Sequence, residues 1–113
     1  MPAGLRVRLA KAYGLARSLK MYWANPLQLR RMRAFYAPLV PAGGLCFDVG
    51  AHVGNRTIVF TRLGARVVAI EPQPVCRAFM DWLARGRADI TVLPVAVGAA
   101  PGEIELRISS ATP

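Results

Sequence analysis

The stretch Cys46-Phe47-Asp48-Val49-Gly50-Ala51-His52-Val53-Gly54-Asn55 decides the fold of this chain. Leu45 to Val49 is almost continuously apolar, the pattern of a strand buried on both faces of a parallel sheet. Gly50 and Gly54 allow a sharp turn and a close approach of backbone to a ligand. Asn55 is suited to cap the helix that follows, and Ile58, Val59 and Leu63 give that helix an apolar side. A strand, a glycine turn and a helix in this order open a βαβ unit.

Toward the C-terminus, Gly64 is placed to end the helix in a left-handed conformation. Arg66-Val67-Val68-Ala69-Ile70 reads as a second strand buried on both faces, ending at Glu71-Pro72. The spacing predicts a right-handed crossover between parallel strands. Pro74 opens a second helix with Val75, Phe79, Trp82 and Leu83 on one face, and Gly86 stops it. Ile90-Thr91-Val92-Leu93 is a third strand. Beyond it, Ala99-Ala100-Pro101-Gly102 is turn chemistry. Residues 103 to 108 then alternate strictly, with Ile104, Leu106 and Ile108 on one side. That is the pattern of a half-exposed strand in an antiparallel hairpin. The expected fold is α/β: a partial Rossmann-like three-layer sandwich with three parallel strands in the order 3-2-1 and a C-terminal hairpin, preceded by N-terminal helices.

Toward the N-terminus, Leu5, Leu9, Ala12, Ala16, Leu19 and Trp23 fall at helical spacing and form one stripe. Asn25-Pro26 ends that helix and starts another, which Leu27, Met32, Phe35 and Tyr36 could dock on the domain. Either these helices pack over the domain edge or they cover a ligand as a lid. Pro38 and Pro41-Ala42-Gly43-Gly44 break the chain before the first strand. The expected division is a basic helical arm over 1–37 and a domain over 38–113.

Composition limits the rest. The chain has 113 residues, 54% of them hydrophobic, so one domain with a core is expected and disorder is not. Lys and Arg total 15 against 6 acids, a net charge of +9. The excess sits in the arm, because Arg6, Arg8, Lys11, Arg17, Lys20, Arg30, Arg31 and Arg33 all precede the first acid, Asp48. Such an arm is either a solvated helix face or a contact for nucleic acid or an anionic membrane surface. An Arg-rich, acid-free start is also the composition of a mitochondrial presequence. Cys46 and Cys76 lack metal-ligand spacing and His52 is the only histidine, so no zinc site is expected. Two free thiols suit a reducing cytosol, and the expected location is cytoplasmic.

In a parallel sheet the ligand sits at the carboxyl ends of the strands, where Asp48, Gly50, Gly54 and Glu71 all fall. Glu71, about 20 residues after the turn, is placed to accept ribose hydroxyls. A phosphate-binding loop needs a Gly-Lys-Ser/Thr run, which Gly54-Asn55-Arg56 does not supply. A dinucleotide turn needs a middle glycine, and His52 stands there. Asp48 opposes a pyrophosphate and suits a cationic amino group. An amino acid joined to adenosine fits best, which points to S-adenosylmethionine.

With these residues in view, Asp48-Val49-Gly50-Ala51-His52-Val53-Gly54-Asn55-Arg56-Thr57 resembles the first motif of class I S-adenosylmethionine-dependent methyltransferases, in the form used by the FkbM family. There the usual run is Asp-x-Gly-Ala-Asn-x-Gly-Asn. Ala69-Ile70-Glu71-Pro72 looks like that family's second motif, and Ala96-Val97-Gly98 with its hairpin is similar to the third. The resemblance covers roughly residues 38 to 110. It implies that Asp48 and the backbone around Gly50 and Ala51 hold the methionine amino group. Glu71 would bind the ribose, Pro72 would pack near the adenine, and Ala96 and Val97 would line the adenine side. Asn55 and Thr57 would orient the turn, which Gly54 completes, and His52 replaces the common Asn. The activity implied is O-methylation of a hydroxyl on a small molecule or sugar. The acceptor-binding part of such a domain has no counterpart here, so the chain reads as its cofactor-binding half. The first strand would then leave an apolar edge open to self-association. A non-catalytic adenosine-binding module, and a basic membrane- or RNA-associated protein acting through the arm, are the other readings.

Overall fold

The computed structural model of the chain describes residues 2–23, 25–103 and 105. Its elements run α1 (Ala3–Trp23), α2 (Pro26–Tyr36), β1 (Leu45–Val49), α3 (Asn55–Arg62), β2 (Arg66–Ile70), α4 (Pro74–Ala84) and β3 (Ile90–Leu93). The strands form one parallel sheet in the order β1-β2-β3. This is a partial Rossmann-like α/β fold. The register aligns Cys46 with Val67 and Val67 with Ile90, and likewise Asp48 with Ala69 and Ala69 with Val92. Side chains alternate across a strand, so these two rows share one face of the sheet.

That face carries the core. Val40, Phe60, Ala65 and Val67 form one buried cluster, with Tyr36, Cys46 and Leu63 packed against it. Ala51, Ala69 and Met80 form a second, closed by Leu83 and Val92. The Tyr36 ring meets Phe60 edge-on at 4.9 Å and so ties α2 to α3. Helix ends follow local chemistry. Asn25 accepts a hydrogen bond from the Gln28 amide at 3.1 Å, with Pro26 at the first helical position. At the end of α3, Gly64 adopts φ +90°, its amide donates to Thr61 O, and the Ala65 amide donates to Phe60 O. These are the paired bonds of a Schellman cap.

Four expectations are corrected. First, β1 is not buried on both faces: Leu45, Phe47 and Val49 are more than half exposed. They belong to the second face of the sheet, which Thr91 and Leu93 also leave open, whereas Val68 is half-buried and Ile70 buried. β2 is covered more fully because it has a strand on each side. Second, Asn55 does not cap α3. It is the first helical residue, and Gly54 takes the cap position at φ +75°, without a side-chain bond. Third, the stripe on α1 does not dock as a unit. Gly14 and Ser18 are the buried residues, while Leu5, Leu9, Ala12 and Ala16 are exposed. The part of the stripe from Leu5 to Ala16 turns outward, and only its end at Leu19 and Trp23 is half-buried. Fourth, Leu27 and Phe35 on α2 are exposed, and Met32 and Tyr36 make the half-buried contact.

The expected hairpin over residues 103 to 108 lies largely outside the described residues. From Pro94 to Gly102 the chain is irregular.

Candidate functional site

The site lies at the carboxyl end of the sheet. After Val49 the chain turns at Gly50, whose φ is +71°. Gly50 and Ala51 both donate their amides to Ile70 O, at 2.8 and 3.1 Å, which carries the β1–β2 pairing beyond the strand. A side chain at Gly50 would meet nothing within 4 Å, so the backbone there faces open space. At Gly54 the opposite holds. A Cβ would lie 2.6 Å from Met80 Sδ and 2.8 Å from Leu83 Cδ2. One glycine leaves room beside the turn, and the other lets the turn sit on α4.

His52 has φ +56° and is the one described non-glycine residue with positive φ. Asn, Asp and His are the side chains that best tolerate this left-handed conformation. His52 therefore has a side chain that suits the backbone conformation of the turn. Its amide donates to Glu71 Oε1 at 2.8 Å. Glu71 Oε2 accepts from the Gln73 amide at 3.0 Å, and the Glu71 amide donates to Leu93 O at 3.0 Å. The Glu71 carboxylate is buried and clamps the glycine turn to the end of β2.

Asp48 is 1% exposed. Its Oδ2 accepts from Thr57 Oγ1 at 2.7 Å, with Thr57 itself fully buried in the first turn of α3. Its Oδ1 is buried and receives no hydrogen bond. Arg56 Nη1 lies 3.8 Å from it, too far to donate. Burial pushes the Asp48 carboxyl up from its ordinary value, and the Glu71 charge adds to this. The Thr57 hydroxyl and the Arg56 charge oppose it. Behind the turn, the buried Cys76 thiol is pushed up to about 12, chiefly by burial and then by Glu71. It is an inert packing group at neutral pH.

A cleft of about 460 Å³ opens past Pro72 along the segment that follows β3, lined by Pro72, Pro94, Ala96, Val97, Gly98 and Glu103 among others. Its size suits a small-molecule group. The expected site residues thus fall into two sets. Asp48 meets Thr57, and Gly50, Ala51, His52 and Gly54 form the turn that Glu71 holds. Pro72, Ala96 and Val97 line the cleft. Asn55 is half-buried at the helix start. Sequence reasoning missed Gln73, which donates to Glu71 and whose buried Oε1 receives no hydrogen bond. It also missed Trp23, whose Nε1 donates to Val53 O at 2.7 Å and seats α1 on the turn. Gln73 follows directly on Glu71-Pro72, but neither contact has a sequence signal, because each depends on how elements meet in space. Among the described residues no cluster of His, Cys, Asp and Glu could hold a metal ion.

No family model matches the chain, and no curated protein matches it. In fold it is similar to the crystal structure of a candidate methyltransferase from an antibiotic biosynthesis pathway of Anabaena variabilis ATCC 29413. The TM-score is 0.50 at 24% identity, and the match covers 65% of this chain and 29% of that one. The likeness is one of fold.

Proposed function

We propose that this site is the cofactor-binding side of an S-adenosylmethionine-dependent methyltransferase of FkbM type, acting on a hydroxyl of a small molecule or sugar in the cytoplasm. One observation carries the reading. Asp48 Oδ1 is a buried acceptor with no donor, beside a turn whose backbone faces open space at Gly50. A buried carboxylate oxygen that receives no hydrogen bond, with its nearest cation 3.8 Å away on an exposed arginine, is costly, and a cationic amino group would relieve it.

The residues present fit such a cofactor. Asp48 would take the methionine amino group, next to the backbone of Gly50 and Ala51. Glu71 makes two hydrogen bonds and retains lone pairs for ribose hydroxyls. Pro72, Ala96 and Val97 would face the adenine from the cleft. His52, Gly54, Asn55 and Thr57 would shape and hold the turn. Gln73 Oε1 is a further acceptor at its edge. When bound, the cofactor supplies a methyl group on a sulfonium, which carries its own driving force. The contribution of these residues is to bind and orient it, the positioning on which methyl transfer depends. The fold likeness to the Anabaena protein supports the same reading.

Calorimetric titration with S-adenosylmethionine tests it. Binding is expected, and Asp48→Asn should weaken it about tenfold to a hundredfold, the worth of a charged hydrogen bond. Affinity should rise with pH as Asp48 ionises and level off above its raised value, because the ionised form meets the cationic ligand. Absence of heat, or an affinity unchanged in Asp48→Asn, would overturn the assignment.

A further inference from the structure

The outward stripe of α1 is the feature that the cofactor reading leaves unused. Leu5 and Leu9 are 44% and 50% exposed, and Ala12 and Ala16 are exposed with them. At α-helical geometry these four lie within about 60° of one another. Arg6, Arg17 and Lys20 flank the stripe on one side and Arg8 on the other. Tyr13, 66% exposed, sits within the first of these flanks, between Lys20 and Arg6. Among the described residues, Arg6, Arg8, Lys11, Arg17 and Lys20 make no ion pair; the two recorded pairs join Arg56 to Asp48 and Arg87 to Asp89. Arg6 and Arg8 also stand near the positive end of the helix dipole, where cations are disfavoured. Their placement therefore does not serve the helix itself.

We infer that α1 lies on an anionic phospholipid surface, with the Leu5–Leu9–Ala12–Ala16 stripe inserted at the headgroup boundary and the flanking cations on lipid phosphates. Charge complementarity selects this occupant: α1 carries five cations and no acid, and its exposed apolar strip lies between them. A nucleic acid would use the cations but leave Leu5 and Leu9 in water. A tyrosine among the flanking cations matches the amphipathic belt of an interface. No described helix is long and apolar enough to cross a membrane, so the helix lies on the surface and does not span it. The buried Gly14 and Ser18 lie on the opposite side of α1, and the C-terminal end of the stripe itself is tied to the body by the Trp23–Val53 bond, which leaves the part from Leu5 to Ala16 outward. The helix would thus hold the glycine turn at the membrane surface. The inference stands apart from the cofactor assignment, since it uses none of those residues.

The test is co-sedimentation of the full chain with phosphatidylcholine vesicles, with and without about one-third phosphatidylglycerol. Binding is expected only to the anionic vesicles, and it should fall when salt is raised to about 0.5 M. Each of Arg6→Gln, Arg17→Gln and Lys20→Gln should weaken it about fivefold. The double variant Leu5→Ser/Leu9→Ser should abolish it, with circular dichroism showing that the helices remain. Equal binding to neutral vesicles would overturn the inference. So would tight binding of a single-stranded RNA oligonucleotide that the double variant leaves intact. A dimer in sedimentation equilibrium that Leu9→Ser dissociates would also overturn it, by giving the stripe to a second copy.

Discussion

The two faces of the sheet differ sharply although one run of residues supplies both. On β1, Cys46 and Asp48 point toward α3 and α4, into the core and the site. Leu45, Phe47 and Val49 point the other way and are more than half exposed among the described residues. The covered face has two helices, a buried carboxylate and tight contacts at Gly54. The open face has apolar side chains of equal bulk and no partner among the described residues. Apolar character alone therefore does not measure stability; what counts is the area removed from water.

Substitutions on each face sharpen the contrast. The largest effect is expected at Met80, fully buried beneath the turn. Met80→Ala should cost about 3 kcal/mol in urea denaturation, from lost burial and a residual cavity. A smaller change, of opposite sign, is expected at Asp48. Burial raises its carboxyl above the ordinary 3.8, so the folded state binds a proton more tightly than the unfolded chain. The penalty is absent below pH 3.8 and reaches its full size once pH passes the raised value. Asp48→Asn should accordingly be more stable than the parent at neutral pH, and the gap should close on acidification. The smallest effect belongs to the open face. Phe47→Ser should change stability by about 0.5 kcal/mol or less. A loss at Phe47 as large as that at Met80 would show that the open face is covered in solution, for instance by a second copy along the free edge of β1.

Much of the fold was legible because local signals agreed. The limits of β1, β2 and β3 follow from apolar runs closed by Gly50, Glu71-Pro72 and Pro94. The end of α3 follows from Gly64, which only a left-handed cap explains. Asp48, Gly50 and Glu71 could be placed at one end of the sheet because a parallel register brings strand ends together. Which face of each element is covered was not legible. The apolar run of β1 states what the strand could bury, not what lies against it. On α1 the periodic stripe is the loudest signal, yet only its Trp23 end meets the body, and the buried positions are Gly14 and Ser18, which have almost no hydrophobic weight. Capping failed for a related reason. Asn55 has the better side chain, but Gly54 has the conformation that the turn requires. The link from Glu71 to the His52 amide joins two loops across the sheet end, and no pattern within either loop encodes it.

His52 carries one more consequence. Its left-handed backbone is fixed by the Gly50–Gly54 turn and by the bond to Glu71. The backbone conformation itself admits His, Asn, Asp and Gly. Val, Ile and Thr are shut out, because a branched Cβ cannot adopt the conformation without strain. The turn thus constrains a torsion angle first, and the identity of the residue only through it.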